Sequence, residues 1–200
     1  MPERKVKRRG VLPAFGFFGG SFDPLQKGHI ALALAALRER RLGRVYLVPA
    51  ARSPLKKGGT RASAQDRAAM VRAGIRGRRG LALGSWELNR PGPSYTFQTL
   101  RRLRRVFPGR RWELILGEDS WRNFRRWRRW REIAGRYPLI VGKRAGPGPT
   151  RGPAGAFFLR ARLPAVSSTD VRHSLGAGRS AVRGVPGPVL EYIKRKGLYR

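Results

Sequence analysis

The chain alternates short apolar runs with segments of helical periodicity, and this alternation restricts it to a small set of folds. Glycine, proline or polar turn residues separate most of these segments. Strands alternating with helices at this spacing predict an α/β fold, a Rossmann-like, doubly wound, mostly parallel sheet with helices on both faces. The predicted strands are 14–18, 44–48, 81–83, 112–116, 138–141 and 156–159. The predicted helices are 29–40, 64–76, 95–106, 120–133, 168–175 and 188–196, with Ser63 as the N-cap of the second.

A length of 200 residues suits one domain. Residues 1–10 are predicted to form a basic N-terminal tail. Residues 11–200 are predicted to form one folded domain whose last part, about 167–200, is helical. No run approaches the roughly 20 apolar residues that a membrane span needs, and there is no cysteine. We therefore expect a cytoplasmic protein that does not bind membranes.

The net charge of +34 is extreme, and arginine supplies most of it. Such a charge indicates affinity for polyanions such as nucleic acids or phosphorylated substrates. The alternative is a general arginine bias, in which arginine replaces other polar residues on solvated faces. Because the charges are spread from end to end, we favour the bias and expect no specific nucleic-acid partner.

The stretch GFFGGSFDPLQKGHI (16–30) is typical of a loop that binds phosphate. Gly19 and Gly20 follow the first predicted strand, where residues without a Cβ allow a ligand to approach the backbone. Gly28 and His29 stand at the start of the next helix, whose N-terminal amides and dipole favour an anion. Each feature alone is also explained by an ordinary turn, but together they favour a phosphate site.

These residues carry a resemblance to a known family. GGSFDPLQKGH resembles the signature of the HxGH nucleotidylyltransferase superfamily, and further segments are similar to the bacterial nicotinate-nucleotide adenylyltransferases. The resemblance runs from about residue 14 to residue 200, and PSYT and VSSTDVR are more discriminating than GH alone. The further segments are VPAARSPLKK (48–57), SAQDRAAM (63–70), ELNRPGPSYTFQTL (87–100), LILGEDS (114–120), FRRWRRW (124–130), VSSTDVR (166–172) and VLEYIKRKGLYR (189–200).

The resemblance implies a nucleotidyltransferase domain at 11–200 that transfers the adenylyl group of ATP to nicotinate mononucleotide, with Mg²⁺ accompanying ATP. It implies no metal site of the protein's own, and it leaves the oligomeric state open, a homodimer being one option. The implied catalytic residues are Gln26, His29, Lys56 and Arg172. The implied ATP-binding residues are Gly19, Gly20, Ser21, Phe22, Gly28, His29, Gly117, Asp119, Ser168, Thr169 and Arg172. The implied nicotinate mononucleotide residues are Lys56, Ser94, Tyr95, Thr96 and Trp127.

Two positions depart from the family. Gln26 stands where the family has His or Thr, so that the motif is QKGH, and Leu55 stands where His or Asn is frequent. Glutamine can donate an amide hydrogen bond to a phosphate but cannot carry a positive charge. The chain is then either an active enzyme that relies more on Arg and Lys or a weakened homologue. The sequence is also compatible with an enzyme for nicotinamide mononucleotide and with a basic nucleic-acid-binding protein that retains the fold.

Several of these residues also have plain structural interpretations. Ser167 and Asp119 are typical helix N-caps, and PGPSYT (91–96) is a turn leading into a helix. Asp23 is interpreted as a cap or a brace of the first loop, the loop in 16–30 that follows the first predicted strand. Asp66 and Arg67 are interpreted as a structural ion pair. Four aromatic residues in 120–133 are spaced by three, which predicts an aromatic face on one helix: Trp121, Phe124, Trp127 and Trp130. Of these, the resemblance implies that only Trp127 stacks on the pyridine ring.

Overall fold

A computed structural model describes residues 12–54, 58–143, 156–179 and 182–200, so the predicted basic tail lies outside the described residues. Six strands in the described part form one sheet, and all five neighbouring pairs are parallel. In chain order the strands are β1 (Phe15–Gly20), β2 (Arg44–Pro49), β3 (Leu81–Leu83), β4 (Trp112–Gly117), β5 (Leu139–Gly142) and β6 (Ala156–Phe158). The predicted Rossmann-like sheet is confirmed.

The spatial order of the strands places the site. The sheet runs β3-β2-β1-β4-β5-β6, so the chain first winds outward from β1 and then returns to add β4 on the other side of it. In doubly wound sheets, ligands bind beyond the carboxyl ends of the strands at the point where this reversal occurs. That point lies between the ends of β1 and β4, at Gly20 and Gly117.

Seven α-helices in the described ranges cover both faces of the sheet. They are α1 (Lys27–Glu39), α2 (Ala64–Ile75), α3 (Thr96–Val106), α4 (Glu118–Arg122), α5 (Trp130–Arg136), α6 (Ser168–Gly176) and α7 (Gly187–Lys196). The predicted cap of α2 is confirmed, because Ser63 Oγ accepts a hydrogen bond of 3.0 Å from the Asp66 amide. Each of these helices is too short or too polar to cross a bilayer.

The core is divided by the sheet into two clusters. Successive side chains of β1 point to opposite faces, so that Phe18 packs in the cluster with α1, α2, α6 and α7, while Phe17 packs in the cluster with α3 and α5. Both rings are at most 5 % exposed. The C-terminal helices α6 and α7 therefore belong to the same core as the first two helices.

The predicted helix over 120–133 is wrong. The chain forms α4, then a 3₁₀ turn at Phe124–Arg126, and then α5. The side-chain amide of Asn123 donates to the Asp119 carbonyl (2.9 Å), and Arg129 has left-handed backbone angles, with φ of 58°. These two residues interrupt the helix, because a side chain that bonds the backbone and a left-handed residue both end helical hydrogen bonding. The aromatic residues of this segment therefore form no single helical face.

Candidate functional site

A cleft of about 750 Å³ opens at the carboxyl edge of the sheet, beside the reversal between β1 and β4. It gathers most of the residues that the sequence singled out, from four separate parts of the chain. The predicted residues that line it are Gly19, Gly20, Ser21, Phe22, Gln26, Gly28, His29, Ser94, Tyr95, Thr96, Gly117, Asp119, Trp127 and Ser168. Thr169 and Arg172 are not part of the lining, and Lys56 lies outside the described residues, as does Leu55.

The first loop is shaped by Phe22. Its backbone φ of 49° is unusual for a residue with a side chain, and a backbone held in this way costs about 1–3 kcal/mol. Burial of the Phe22 ring, which is 1 % exposed, offsets that cost. A Cβ at Gly20 would lie 2.9 Å from this ring, so only glycine fits there. Phe22 therefore lines the cleft as a packed aromatic wall.

His29 lies against that wall at the start of α1. Its ring meets the Phe22 ring edge-on, with 5.1 Å between the centroids. Its Nδ1 accepts a 3.1 Å hydrogen bond from the main-chain amide of Gln26. In a neutral imidazole the proton is then on Nε2, which makes that atom the hydrogen-bond donor. The fold thus orients His29 as a donor within the cleft wall.

Gly28 lines the cleft and also allows a close contact within the protein. A Cβ at this position would lie 3.2 Å from the Pro164 carbonyl oxygen. The close approach that glycine allows here is therefore between α1 and the segment that leads into α6. This contact brings the two predicted phosphate-binding segments together.

The start of α6 uses much of its hydrogen-bonding capacity within the protein. Ser167 is the N-cap, since its Oγ accepts from the Asp170 amide (3.3 Å). Arg172 donates from Nη1 to the Asp23 carbonyl (2.9 Å) and from Nη2 to Thr169 Oγ1 (3.3 Å). Arg172 therefore supports the first loop from behind the cleft lining.

The PSYT segment forms another part of the cleft wall. Ser94 ties it to the loop after β2, because its amide donates to the Arg52 carbonyl (2.8 Å) and its Oγ accepts from the Ala51 amide (3.0 Å). Tyr95 is the N-cap residue of α3 and Thr96 is the first residue of the helix. Both face the cleft at a helix start, where an anionic group is favoured.

Trp127 and Asp119 complete the cleft from the β4 side. Trp127 is half-buried and packs edge-on against Phe124, with 5.6 Å between the ring centroids. Asp119 is exposed and lies in the first turn of α4, whose N-cap is Gly117, so the cap interpretation of Asp119 is wrong.

Sequence reasoning missed the long-range bracing of Asp23. Its carboxylate accepts hydrogen bonds from the Arg61 amide (2.9 Å), the Ala62 amide (3.1 Å) and the Tyr199 hydroxyl (2.6 Å). Burial, followed by the hydrogen bond to Asp23, raises the pKa of Tyr199 far above that of an ordinary tyrosine. Asp23 therefore braces the first loop, as expected, but through a partner 176 residues away.

We expect Tyr199→Phe to lower the free energy of unfolding by about 1–2 kcal/mol, because it removes a buried hydrogen bond to a carboxylate. Urea denaturation measures this change. Tyr192→Phe is the matched control, since the Tyr192 hydroxyl donates to Asp66 Oδ1 (2.8 Å) at a half-buried position. An equal or larger loss in the control would contradict the importance of the Asp23 contact.

Sequence reasoning also misjudged Arg67, which forms no ion pair with Asp66. The Arg67 side chain is fully buried and donates to the main-chain carbonyls of Ser21 (2.8 Å), Ala51 (3.1 Å) and Ala62 (3.3 Å). Burial lowers the pKa of its guanidinium, and the nearby Asp23 opposes that shift. One side chain thereby holds together loops that border the cleft.

Among the charged residues of the lining, Glu87, Arg126 and Arg128 carried no sequence signal of their own. Glu87 is 3 % exposed and accepts a 2.6 Å hydrogen bond from Thr99 Oγ1. Burial raises its pKa, and hydrogen bonds from Thr99 and Ser94 oppose the rise. Arg126 and Arg128 add positive charge to the cleft, near Trp127. The quoted motifs contain all three residues but do not indicate their roles.

Comparison with known proteins agrees with this geometry. The model of the cytidylyltransferase-like family matches residues 17–174. A Bordetella petrii protein named "Probable nicotinate-nucleotide adenylyltransferase" is 42 % identical, with 92 % of this chain and 98 % of the relative covered. A Gloeobacter violaceus protein of the same name is 40 % identical, with coverage of 92 % and 95 %.

A solved structure has the same fold. It is that of Plasmodium falciparum nicotinic acid mononucleotide adenylyltransferase complexed with NaAD. The TM-score is 0.72 at 15 % identity, with 94 % of this chain and 97 % of the other covered. At this identity the likeness concerns the architecture alone.

Proposed function

Because the chain belongs to the cytidylyltransferase-like family and, within it, to the nicotinate-nucleotide adenylyltransferases, we propose that it transfers the adenylyl group of ATP to nicotinate mononucleotide. The products are nicotinate adenine dinucleotide and pyrophosphate, which places the reaction in NAD biosynthesis. The observation that carries this proposal is the shared cleft in which the first loop, the start of α6, the PSYT segment and Trp127 meet. Its volume of about 750 Å³ lies within the range typical of small-molecule sites.

The two ends of the cleft suit the two substrates. The triphosphate of ATP suits the part of the cleft near the first loop. This part offers glycines, the N-terminus of α1 and the hydrogen-bond donor of His29. On the other side, Trp127 offers an aromatic face for a pyridine ring, and the start of α3 at Tyr95 and Thr96 is suited to its carboxylate. Gly117 and Asp119 also line the cleft, where they would contact the nucleotide.

The reaction needs alignment more than it needs a base. The 5′-phosphate of nicotinate mononucleotide is already an anion, so that one of its oxygens attacks the α-phosphorus of ATP directly as the bond to pyrophosphate breaks. The protein then contributes by holding both substrates in line and by donating hydrogen bonds to the phosphate oxygens. His29 would supply such a donor in the cleft, and Lys56 would add positive charge.

Mg²⁺ fits this site as an ion that enters with ATP. Among the described residues, no group of three or more His, Cys, Asp or Glu side chains is arranged to hold a metal. Mg²⁺ commonly keeps several waters and binds largely through substrate phosphates. Phosphate oxygens would therefore hold most of its coordination, and the ion would neutralise charge on the triphosphate.

The test is pyrophosphate release from ATP and Mg²⁺ with each of three acceptors: nicotinate mononucleotide, nicotinamide mononucleotide and phosphopantetheine. We expect turnover with nicotinate mononucleotide to exceed that with the amide at least roughly tenfold, because a helix start favours an anionic carboxylate. Filter binding of DNA across a salt series serves as the control for charge alone. Tight DNA binding without pyrophosphate release would contradict the proposal.

A further inference from the structure

We infer that Gln26 is a positioning residue that fixes the start of α6 against the start of α1, and that this is its main contribution in place of direct binding of the triphosphate. The inference adds a residue role to the proposed function. Only the kinetic test below rests on that function, and the unfolding test does not. It concerns the position at which this chain departs from the HxGH signature.

The contacts of the Gln26 side chain lead to this role. The residue is 3 % exposed. The side-chain amide is oriented so that both its nitrogen and its oxygen have hydrogen-bond partners. In this orientation the nitrogen donates to the Val166 carbonyl (3.2 Å). The oxygen accepts from both the amide and the hydroxyl of Ser168, at 2.8 Å and 2.7 Å. A neutral amide can donate and accept at once, so it suits a bridge between two main-chain segments.

Neighbouring contacts make Gln26 the centre of this junction. The Lys27 amide donates to the Gly184 carbonyl (2.7 Å), and Gly28 allows the close approach to Pro164. On its other side, the main-chain amide of Gln26 holds His29 Nδ1. One residue therefore connects the orientation of His29 with the position of Ser168, which comes from 142 residues further along the chain.

Removing the bridge would leave polar groups of a half-buried junction without partners. Gln26→Met keeps the approximate volume but leaves the Val166 carbonyl and the Ser168 amide without the amide group that satisfies them. Unsatisfied buried groups destabilise a protein and let the segments that carry them shift. Ser168 lines the cleft. Such a shift would therefore weaken the binding of ATP more than the binding of nicotinate mononucleotide.

The first test is an unfolding cycle that requires no substrate. We expect Gln26→Met to lower Tm by about 3–6 °C, and the double variant with Ser168→Ala to unfold within about 1 °C of Gln26→Met, because the Ser168 hydroxyl has already lost its acceptor. Gln65→Met, at an exposed position of α2, is the matched control and should leave Tm unchanged. Additive shifts from Gln26→Met and Ser168→Ala would overturn the inference.

The second test separates positioning from direct catalysis. We expect Gln26→Met to raise KM for ATP by about tenfold or more while KM for nicotinate mononucleotide changes little. In the Ser168→Ala background, the same substitution should raise KM for ATP somewhat less, because one of the three hydrogen bonds of the Gln26 side chain is already absent. A rise in turnover of several orders of magnitude for Gln26→His would assign Gln26 to the triphosphate itself. If the unsubstituted protein transfers no adenylyl group, the proposed function fails and the unfolding cycle still decides the role of Gln26.

Discussion

Replacing His29 with alanine is expected to lower turnover by about 10²–10³-fold while the fold persists. The structure orients the ring through the Gln26 amide and packs it against Phe22, so that Nε2 is the donor in the neutral ring. A preorganised donor directed at phosphate oxygens stabilises the charge that develops in the transition state, and loss of one such donor has an effect of about this size in other enzymes. Steady-state pyrophosphate release measures the change.

Two further variants show whether this loss is chemical or structural. His29→Asn retains an acceptor for the Gln26 amide but has no group at the place of Nε2, so we expect turnover as low as in His29→Ala. His173→Ala replaces an exposed histidine of α6 and should retain nearly full turnover. Near-normal activity of His29→Ala would remove His29 from the mechanism.

Replacing Arg67 with alanine is expected to lower the free energy of unfolding by about 3–5 kcal/mol. Three main-chain carbonyls, those of Ser21, Ala51 and Ala62, would lose their donor in the protein interior. Asp23 would also lose a nearby positive charge. A loss of this size is a large part of the roughly 5–15 kcal/mol that stabilises a typical domain. Equilibrium denaturation in urea measures it.

Arg67→Met distinguishes the hydrogen bonds from the volume of the side chain. It fills much of the same space without donors, so we expect most of the loss to remain. Arg72→Ala, at an exposed position on the same helix, is the matched control and should change stability by less than about 0.5 kcal/mol. A loss below about 1 kcal/mol in both Arg67 variants would mean that water replaces the guanidinium at little cost.

The fold was largely predictable from the sequence, and the exception has a local cause. Apolar periodicity placed all six strands within one or two residues of their bounds, because a parallel strand is buried on both faces and is therefore continuously apolar. The helix predicted over 120–133 was wrong, because aromatic spacing alone does not show that Asn123 would bond the Asp119 carbonyl or that Arg129 would become left-handed.

The candidate site was partly predictable. Residues of the first loop and of the PSYT segment are close in sequence, and their motifs placed them at strand ends and helix starts. The position of Arg172 was not predictable, because its guanidinium is held by the Asp23 carbonyl, in a loop 149 residues earlier. The role of Gly28 was also hidden, since its tight neighbour Pro164 belongs to a distant segment.

The sequence by itself determined the order of strands and helices, and with it the edge of the sheet at which a ligand binds, because hydrophobic periodicity and helix starts are properties of neighbouring residues. Only the tertiary structure decided which polar groups satisfy one another across the chain, such as Gln26 with Ser168 and Asp23 with Tyr199. These pairings follow from the packing of the sheet and its helices, which brings buried donors to buried acceptors that no local pattern can identify.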